Sequence, residues 1–208
     1  MMFPVIALLL VATFWLLDGL VRSRVQRHRT GDSGIRIPRT AQQWSARLTL
    51  AAGMLLPGIA APIAELLGMP PIPLLDHWPL RVTGLALATI GVLASFGAQH
   101  AMGPSWRTTV DPTEQPALIT SGIFAIVRNP IYAAINVMVI GLTLLVPNGI
   151  ALAGVVFVIT GSQLQVRLIE EPYLREIHGP GFHDYASRVG RFLPGIGRLR
   201  VQPQDHHR

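Results

Sequence analysis

Five apolar runs set the limits on what this chain can fold into. The first, Phe3 to Val21, is broken only by Asp18 near its end. Leu48 to Gly68, Leu80 to about Gln99, Ile131 to Val146 and Gly149 to Val166 follow it. Crossing a bilayer as a helix takes roughly 20 mostly apolar residues, and the first three runs have about that length. The last two are shorter and are joined by Val146-Pro147-Asn148-Gly149, which reads as a tight turn between antiparallel helices. Lipid offers no hydrogen bonds to the backbone, so such runs must be helical. Pro57 and Pro62 fall inside the second run, where neighbouring helices can satisfy the carbonyls they free. The expected fold is all-α: a polytopic membrane protein with about five transmembrane helices, a C-terminal helical hairpin and a cytoplasmic amphipathic tail.

Composition supports this reading. Half of the 208 residues are hydrophobic and 13% are charged, against roughly 25% charged in soluble domains. There is no Cys, which excludes a disulfide framework, a thiolate metal site and a Cys nucleophile. The net charge of +6 comes entirely from arginine, and its distribution speaks against nucleic acid. Of the 17 basic residues, all but Arg81 fall in residues 22–47, 100–129 and the tail from Arg167. Those three segments share one side of a five-span topology, so the surplus charge is a positive-inside signature that also suits anionic lipid. The N-terminus is expected outside and the C-terminus in the cytoplasm. A cleavable leader would carry its charge before the apolar run, whereas Arg22, Arg24, Arg27 and Arg29 come after it, so the first helix is expected to be retained. The absence of Lys hints at a GC-rich genome and hence a bacterial inner membrane. Three regions are expected: residues 1–99 with the first three spans and an Arg-rich loop, a core over residues 100–195, and a disordered tail over residues 196–208.

The polar groups next to these runs carry the chemistry. In 128-RNPIY-132, Asn129 is a strong N-cap and Pro130 suits the first helical position. A helix start presents free N–H groups and a partial positive charge, which suit an anion, and Arg128 adds a full charge. The plainer alternative is a well-made helix start with Arg128 snorkelling to headgroups. In 163-QLQVRLIEEPYLREIHG-179, helical spacing puts Gln163, Arg167, Glu170 and Glu171 on one face where the last run leaves the membrane. Arg167 and Glu171 have the spacing of a surface ion pair. A polar stripe at that depth more often serves a cationic ligand or acid–base chemistry. The segment 181-GFHDYASRVGRFLPG-195 interleaves Phe182, Tyr185 and Phe192 with Arg188 and Arg191, and reads as an amphipathic helix against the cytoplasmic face. His183 and Asp184 would point apart on a helix. The histidines have no zinc-ligand spacing, so no metal is expected. Asp111 and Glu114 read as part of a solvated loop. No G-x-G-x-x-G after a strand, Walker sequence or G-x-S-x-G occurs, which argues against a Rossmann-type nucleotide site.

Taken in order, 103-GPSWR-107, 118-LITSGIFAIVRNPIY-132, the hairpin and 167-RLIEEPYLREIHGPGFHDYASRVGRFLP-194 resemble the isoprenylcysteine carboxyl methyltransferase family in its broad bacterial branch. The resemblance covers roughly residues 95 to 195; the first two helices carry no matching motif. It implies an integral membrane methyltransferase that binds S-adenosylmethionine in a cytoplasm-facing pocket without a Rossmann domain. It places the cofactor against Pro116, Ala117, Leu118, Ile119, Phe124, Asn129, Pro130, Ile131, Tyr132 and Glu171, and Arg167 next to the substrate; the residues themselves add Arg128, which with the helix start would receive the cofactor's carboxylate, and Glu170, expected to join Arg167 in catalysis. Two positions depart from the family pattern. Asn129 stands where the eukaryotic members usually have His, and Phe124 where Tyr is usual. The acceptor implied is a lipophilic small molecule or lipid bearing a carboxylate, amine, thiol or hydroxyl. Two other readings are an NADPH-dependent membrane reductase of sterol-reductase type, which would want more basic groups than the Glu170–Glu171 pair allows, and a non-catalytic membrane subunit or transporter, in which the polar stripe is interhelical glue.

Overall fold

The computed structural model describes residues 1–200. Five long helices account for most of them: α1 (Met2–Thr30), α2 (Ala41–Leu66), α3 (Trp78–Met102), α4 (Pro130–Leu145) and α5 (Gly149–Arg188), the last kinked at Gly179, whose φ of 49° and ψ of −124° are not helical. Each carries one of the apolar runs. Four are long and apolar enough to cross a membrane, and α4 is a shorter apolar helix packed among them. Leu9, Leu16, Leu48, Leu93 and Val156 are among many large apolar side chains left exposed. On a polytopic protein such a surface is the one that faces lipid.

Two helices start or end outside the apolar runs, because their polar residues find protein partners. The helix α1 continues nine residues past Val21. Arg22 and Gln26 on its buried face donate to the carbonyls of Gln99, Gly103 and Pro104, so this polar segment is helix where a loop was expected. It stops at Gly31, whose positive φ of 78° suits glycine alone. The helix α2 starts at Ala41 rather than Leu48, capped by the Thr40 side chain, which accepts from Gln43 N–H at 3.2 Å. Three helices contain a widened π-helical stretch, at Trp15–Val21, Leu56–Ala60 and Gln165–Glu170. The second contains Pro57.

Two seams of small residues hold the bundle together. A Cβ on Gly91 would lie 2.5 Å from Met138 N, and one on Gly141 2.3 Å from Ala88 N, so α3 and α4 meet backbone to backbone. Gly53 meets Val158, Gly154 meets Pro57 and Gly161 meets Leu50, which joins α2 to α5 in the same way. Between helices in lipid, where no hydrophobic force drives association, close backbone approach supplies the packing energy. At the turn of the α4–α5 hairpin, Asn148 accepts from Ala151 N–H and donates to the Ala61 carbonyl. At this end Arg81 is buried against Glu65, Asp76 and the Leu145 carbonyl, with its guanidinium over Phe3.

The loops at the other end are tied down. Arg36 bonds Asp32 and Glu114, Arg107 bonds Glu114, and Arg39 bonds Asp111. Asp111 and Glu114, expected to be merely solvated, therefore clamp the 31–40 and 103–114 loops to each other. The Arg36 hydrogen bond holds the Asp32 carboxyl well below the usual carboxylate range. Residues 196–200, placed in a disordered tail by the sequence, make defined contacts. Leu199 N–H donates to Ala186 O, and Leu199 packs beside Phe182 and Tyr185. The rest of that expected tail, 201–208, lies outside the described residues.

Candidate active site

The site lies where α5 leaves its apolar stretch, after Val166. Here the chain just before α4 and the chain just after α5 run side by side. Arg128 N–H donates to Gly190 O and Asn129 N–H to Arg191 O, at 2.8 and 3.1 Å. Pro130 occupies the first turn of α4 as expected, but the Asn129 side chain does not cap it. Its amide donates to Arg191 O instead, so Asn129 leaves the first-turn N–H groups of α4 uncapped.

Arg128 is 6% exposed. Its guanidinium donates to Ala186 O, Val189 O, Gly197 O and Glu171 Oε1. Arg191 binds both oxygens of the same carboxylate, each at 2.8 Å. Glu171 thus sits between two arginines, neither of them Arg167. Burial alone would raise its pKa; the hydrogen bonds from Arg191 and Arg128 outweigh burial and hold it low. The expected ion pair of Arg167 with Glu171 does not form. The π-helical stretch Gln165–Glu170 shifts the register, so that Gln165 donates to Glu170 five residues on and Arg167 turns outward, exposed.

Glu170 has the opposite surroundings. Burial pushes its carboxyl up, although Tyr132 O–H at 2.6 Å and the Gln165 amide at 3.1 Å both donate to it. Two adjacent carboxyls are therefore pushed in opposite directions, Glu171 down by its two arginines and Glu170 up by burial. Such divergence is common at catalytic sites.

Besides a cavity beside Asp111, Glu114 and Tyr173, two cavities meet at Glu170. The first is a cleft of about 90 Å³, bounded by Pro116, Ala117, Leu118 and Ile119 on one side and by Phe124, Arg128, Asn129 and Glu171 on the other. Leu174, Phe182 and Tyr185 of α5 close it. The second is a larger chamber of about 520 Å³ between α1, α2, α3, α4 and α5. Its walls are mostly apolar, including Phe14, Trp15, Leu50, Met54 and Ile135, and it takes in Ile131 and Tyr132. Met102 and Glu170 line both cavities. Pro130 and Arg167 line neither.

Phe182, Tyr185, Met102 and the chamber-lining residues of α1 and α2 were not singled out by sequence as site residues. Phe182 and Tyr185 had been read as the apolar face of a surface helix. They are buried, and Tyr185 O–H donates to Phe124 O at 2.7 Å. The interleaving of aromatics and arginines was the available signal. For α1 the only signal was Asp18, a charge inside an apolar run.

Comparison with known proteins points one way. A family model described as phospholipid methyltransferase matches residues 80–181, about half of the chain. Protein-S-isoprenylcysteine O-methyltransferase B of Arabidopsis thaliana is 25% identical over 136 residues, covering 64% of this chain and 68% of its own. Protein-S-isoprenylcysteine O-methyltransferase of Mus musculus is 29% identical over 127 residues, covering 59% of this chain and 44% of its own. The solved structure of a eukaryotic intramembrane Ras methyltransferase, isoprenylcysteine carboxyl methyltransferase, superposes with a TM-score of 0.56 at 20% identity over 79% of this chain. That likeness concerns the fold, and it spans 56% of the solved chain.

Proposed function

From the premise that this chain belongs to the isoprenylcysteine carboxyl methyltransferase family of integral membrane methyltransferases, we propose that it transfers a methyl group from S-adenosylmethionine to a lipophilic acceptor at the cytoplasmic face of a bacterial inner membrane, with its N-terminus outside. The observation that carries the reading is the junction at Met102 and Glu170, where a small cleft, apolar along residues 116–119 and bordered by Arg128, Asn129 and Glu171, meets a larger and mostly apolar chamber within the bundle. A water-soluble donor and a lipid-soluble acceptor need two such entrances and one meeting point. The reductase and the non-catalytic readings are not favoured by these relatives.

The cleft suits the donor. Phe124 and Phe182 offer aromatic surface to an adenine or a sulfonium, and 116–119 form an apolar edge beside them. The uncapped start of α4 at Asn129–Pro130 suits a carboxylate. Arg128 and Glu171 brace the floor of the cleft, since their charged groups are already engaged with each other and with the chain. When bound there, S-adenosylmethionine supplies an electrophilic methyl group. What the protein must add is alignment and exclusion of water. Ile131 and Tyr132 face the chamber and would border the acceptor. Glu170, hydrogen-bonded to Tyr132, is placed to take a proton from an amine, thiol or hydroxyl acceptor; a carboxylate acceptor would need no base. Arg167 points away from both cavities and is assigned no catalytic part.

Narrowing the junction tests this division. Met102→Trp is expected to lower methyl incorporation into extracted lipid by about a hundredfold, because alignment contributes most of the rate. Undiminished transfer by a folded Met102→Trp protein would refute the junction as the reaction point.

A further inference from the structure

The α4–α5 hairpin ends short of its neighbours. The 16 residues of α4 rise about 24 Å at 1.5 Å each, against a hydrocarbon core of roughly 30 Å. Both helices beside it run on. A Cβ on Gly84 would lie 2.6 Å from Leu145 N, and α3 begins six residues before Gly84, at Trp78, about 9 Å further out. Asn148 donates to Ala61 O, and α2 continues past Ala61 to Leu66, about 8 Å further out. This overshoot leaves a recess over the Val146–Gly149 turn, and residues 69–76 cross it. Ile72 N–H donates to Pro147 O at 2.7 Å, and Arg81 donates to Leu145 O at 3.1 Å. Leu145, Val146, Pro147 and Asn148 are all buried.

The crossing segment, 69-MPPIPLLD-76, asks little of water. Pro70, Pro71 and Pro73 have no N–H. The N–H groups of Met69, Ile72, Leu75 and Asp76 each donate to a backbone carbonyl. The carboxylates at its two ends, Glu65 and Asp76, both bind the buried Arg81. What the segment turns outward is apolar. Leu67 and Leu74 are 82% and 80% exposed, and Met69 and Trp78 are exposed too. Exposed Ile59 and Ile63 on α2 and Val82 on α3 lead up to it from the lipid-facing surface.

We propose that residues 67–78 are a membrane-seated cap on the short hairpin: they lie in the leaflet opposite the site, with Leu67 and Leu74 among acyl chains and Trp78 at headgroup level. Counted from Pro130 at the near edge of the core, the turn lies at about 24 Å and Trp78 at about 33 Å, so the far edge of a roughly 30 Å core falls between them. Non-helical backbone at that depth must be satisfied by protein, which the prolines and the bonds to Ala64, Ile72 and Pro147 carbonyls achieve. A tryptophan at the outer end suits the interface.

Spin labelling in proteoliposomes tests this, and the chain's lack of Cys allows single cysteines to be placed. Leu67→Cys and Leu74→Cys are each labelled with a nitroxide. Leu93→Cys, on the exposed apolar face of α3, serves as the lipid reference, and Gln115→Cys, in an exposed loop, as the water reference. The ratio of collisions with oxygen to collisions with a water-soluble nickel chelate is expected to lie nearer that of Leu93 than that of Gln115 at both loop positions. A ratio nearer that of Gln115 at either position would overturn the cap and leave this apolar surface in water, facing a protein partner. Both side chains point out of the protein, so neither cysteine removes packing; should one variant fail to fold, the other decides.

Discussion

At the scale of single residues, the adjacent carboxylates Glu170 and Glu171 show how environment divides labour. Glu171 is a structural anion. Removing Arg128 would leave it half-partnered and three carbonyls without a donor. Arg128→Met is expected to cost about 3–5 kcal/mol in detergent unfolding. Arg128→Lys should recover little, because an ammonium cannot reproduce a four-acceptor fork. By contrast, Arg188 makes an exposed ion pair with Asp184, and Arg188→Ala should stay within about 1 kcal/mol of wild type. An unchanged melting temperature for Arg128→Met would contradict the clamp. Glu170 carries the opposite sign. Its folded pKa is raised, mainly by burial, so ionising it works against folding. That penalty is absent below the unfolded carboxyl pKa and grows as pH rises through the folded one. Glu170→Gln should therefore melt higher than wild type at pH 8, and the gap should close in acid. A gap that widens in acid would show that Glu170 is stabilised as an anion.

At the scale of elements, glycine position decides the sign of a substitution. Gly91 and Gly97 both lie in α3. A Cβ on Gly91 would meet the α4 backbone, whereas one on Gly97 would meet nothing within 4 Å. Gly97→Ala should stabilise by up to about 1 kcal/mol. Gly91→Ala should destabilise by about 1–3 kcal/mol, because no flexible side chain can give way. Thermal melts of the two variants, if they moved in the same direction, would contradict the seam. The elements also show how far the sequence could be read. Periods of apolar length located all five helices, since lipid leaves the backbone no other choice. They misplaced the end of α1, because Arg22 and Gln26 are polar by type but buried through bonds to carbonyls 77 to 81 residues distant, and the start of α2, where Gln43 is buried and donates to Val110 O. The π-helical stretch Gln165–Glu170 was equally illegible. A spacing rule for a regular helix put Arg167 beside Glu171, and one extra residue in the turn sent it outward.

At the scale of the whole molecule, the cleft was largely legible and the chamber was not. Pro116 to Ile119, Phe124, Asn129 and Glu171 are grouped by the family resemblance, and Arg128 and Glu170 by their places at the helix start and on the polar stripe; all of them line one cleft. The chamber depends on contacts between α1, α2 and the C-terminal helices, which no local pattern encodes. The first two helices, which carry no family motif, supply much of its wall. Under the proposed function, acceptor choice is set largely by α1 and α2, outside the segment that carries the family motifs. Exchanging Leu50 and Met54 for Ala should alter which chain lengths are accepted while leaving donor affinity unchanged. A product assay over acceptors of graded length would show this, and an unaltered length profile would remove the chamber from acceptor selection.

The measurement that tests the central claim most directly is calorimetric titration of S-adenosylmethionine into the purified protein in detergent, with NADPH titrated in parallel and Phe124→Ala as the altered cleft. The account predicts saturable binding of S-adenosylmethionine, weakened by about tenfold in Phe124→Ala through loss of aromatic contact, and none of NADPH. Binding of NADPH instead, or of neither by a protein with a cooperative melt, would contradict it.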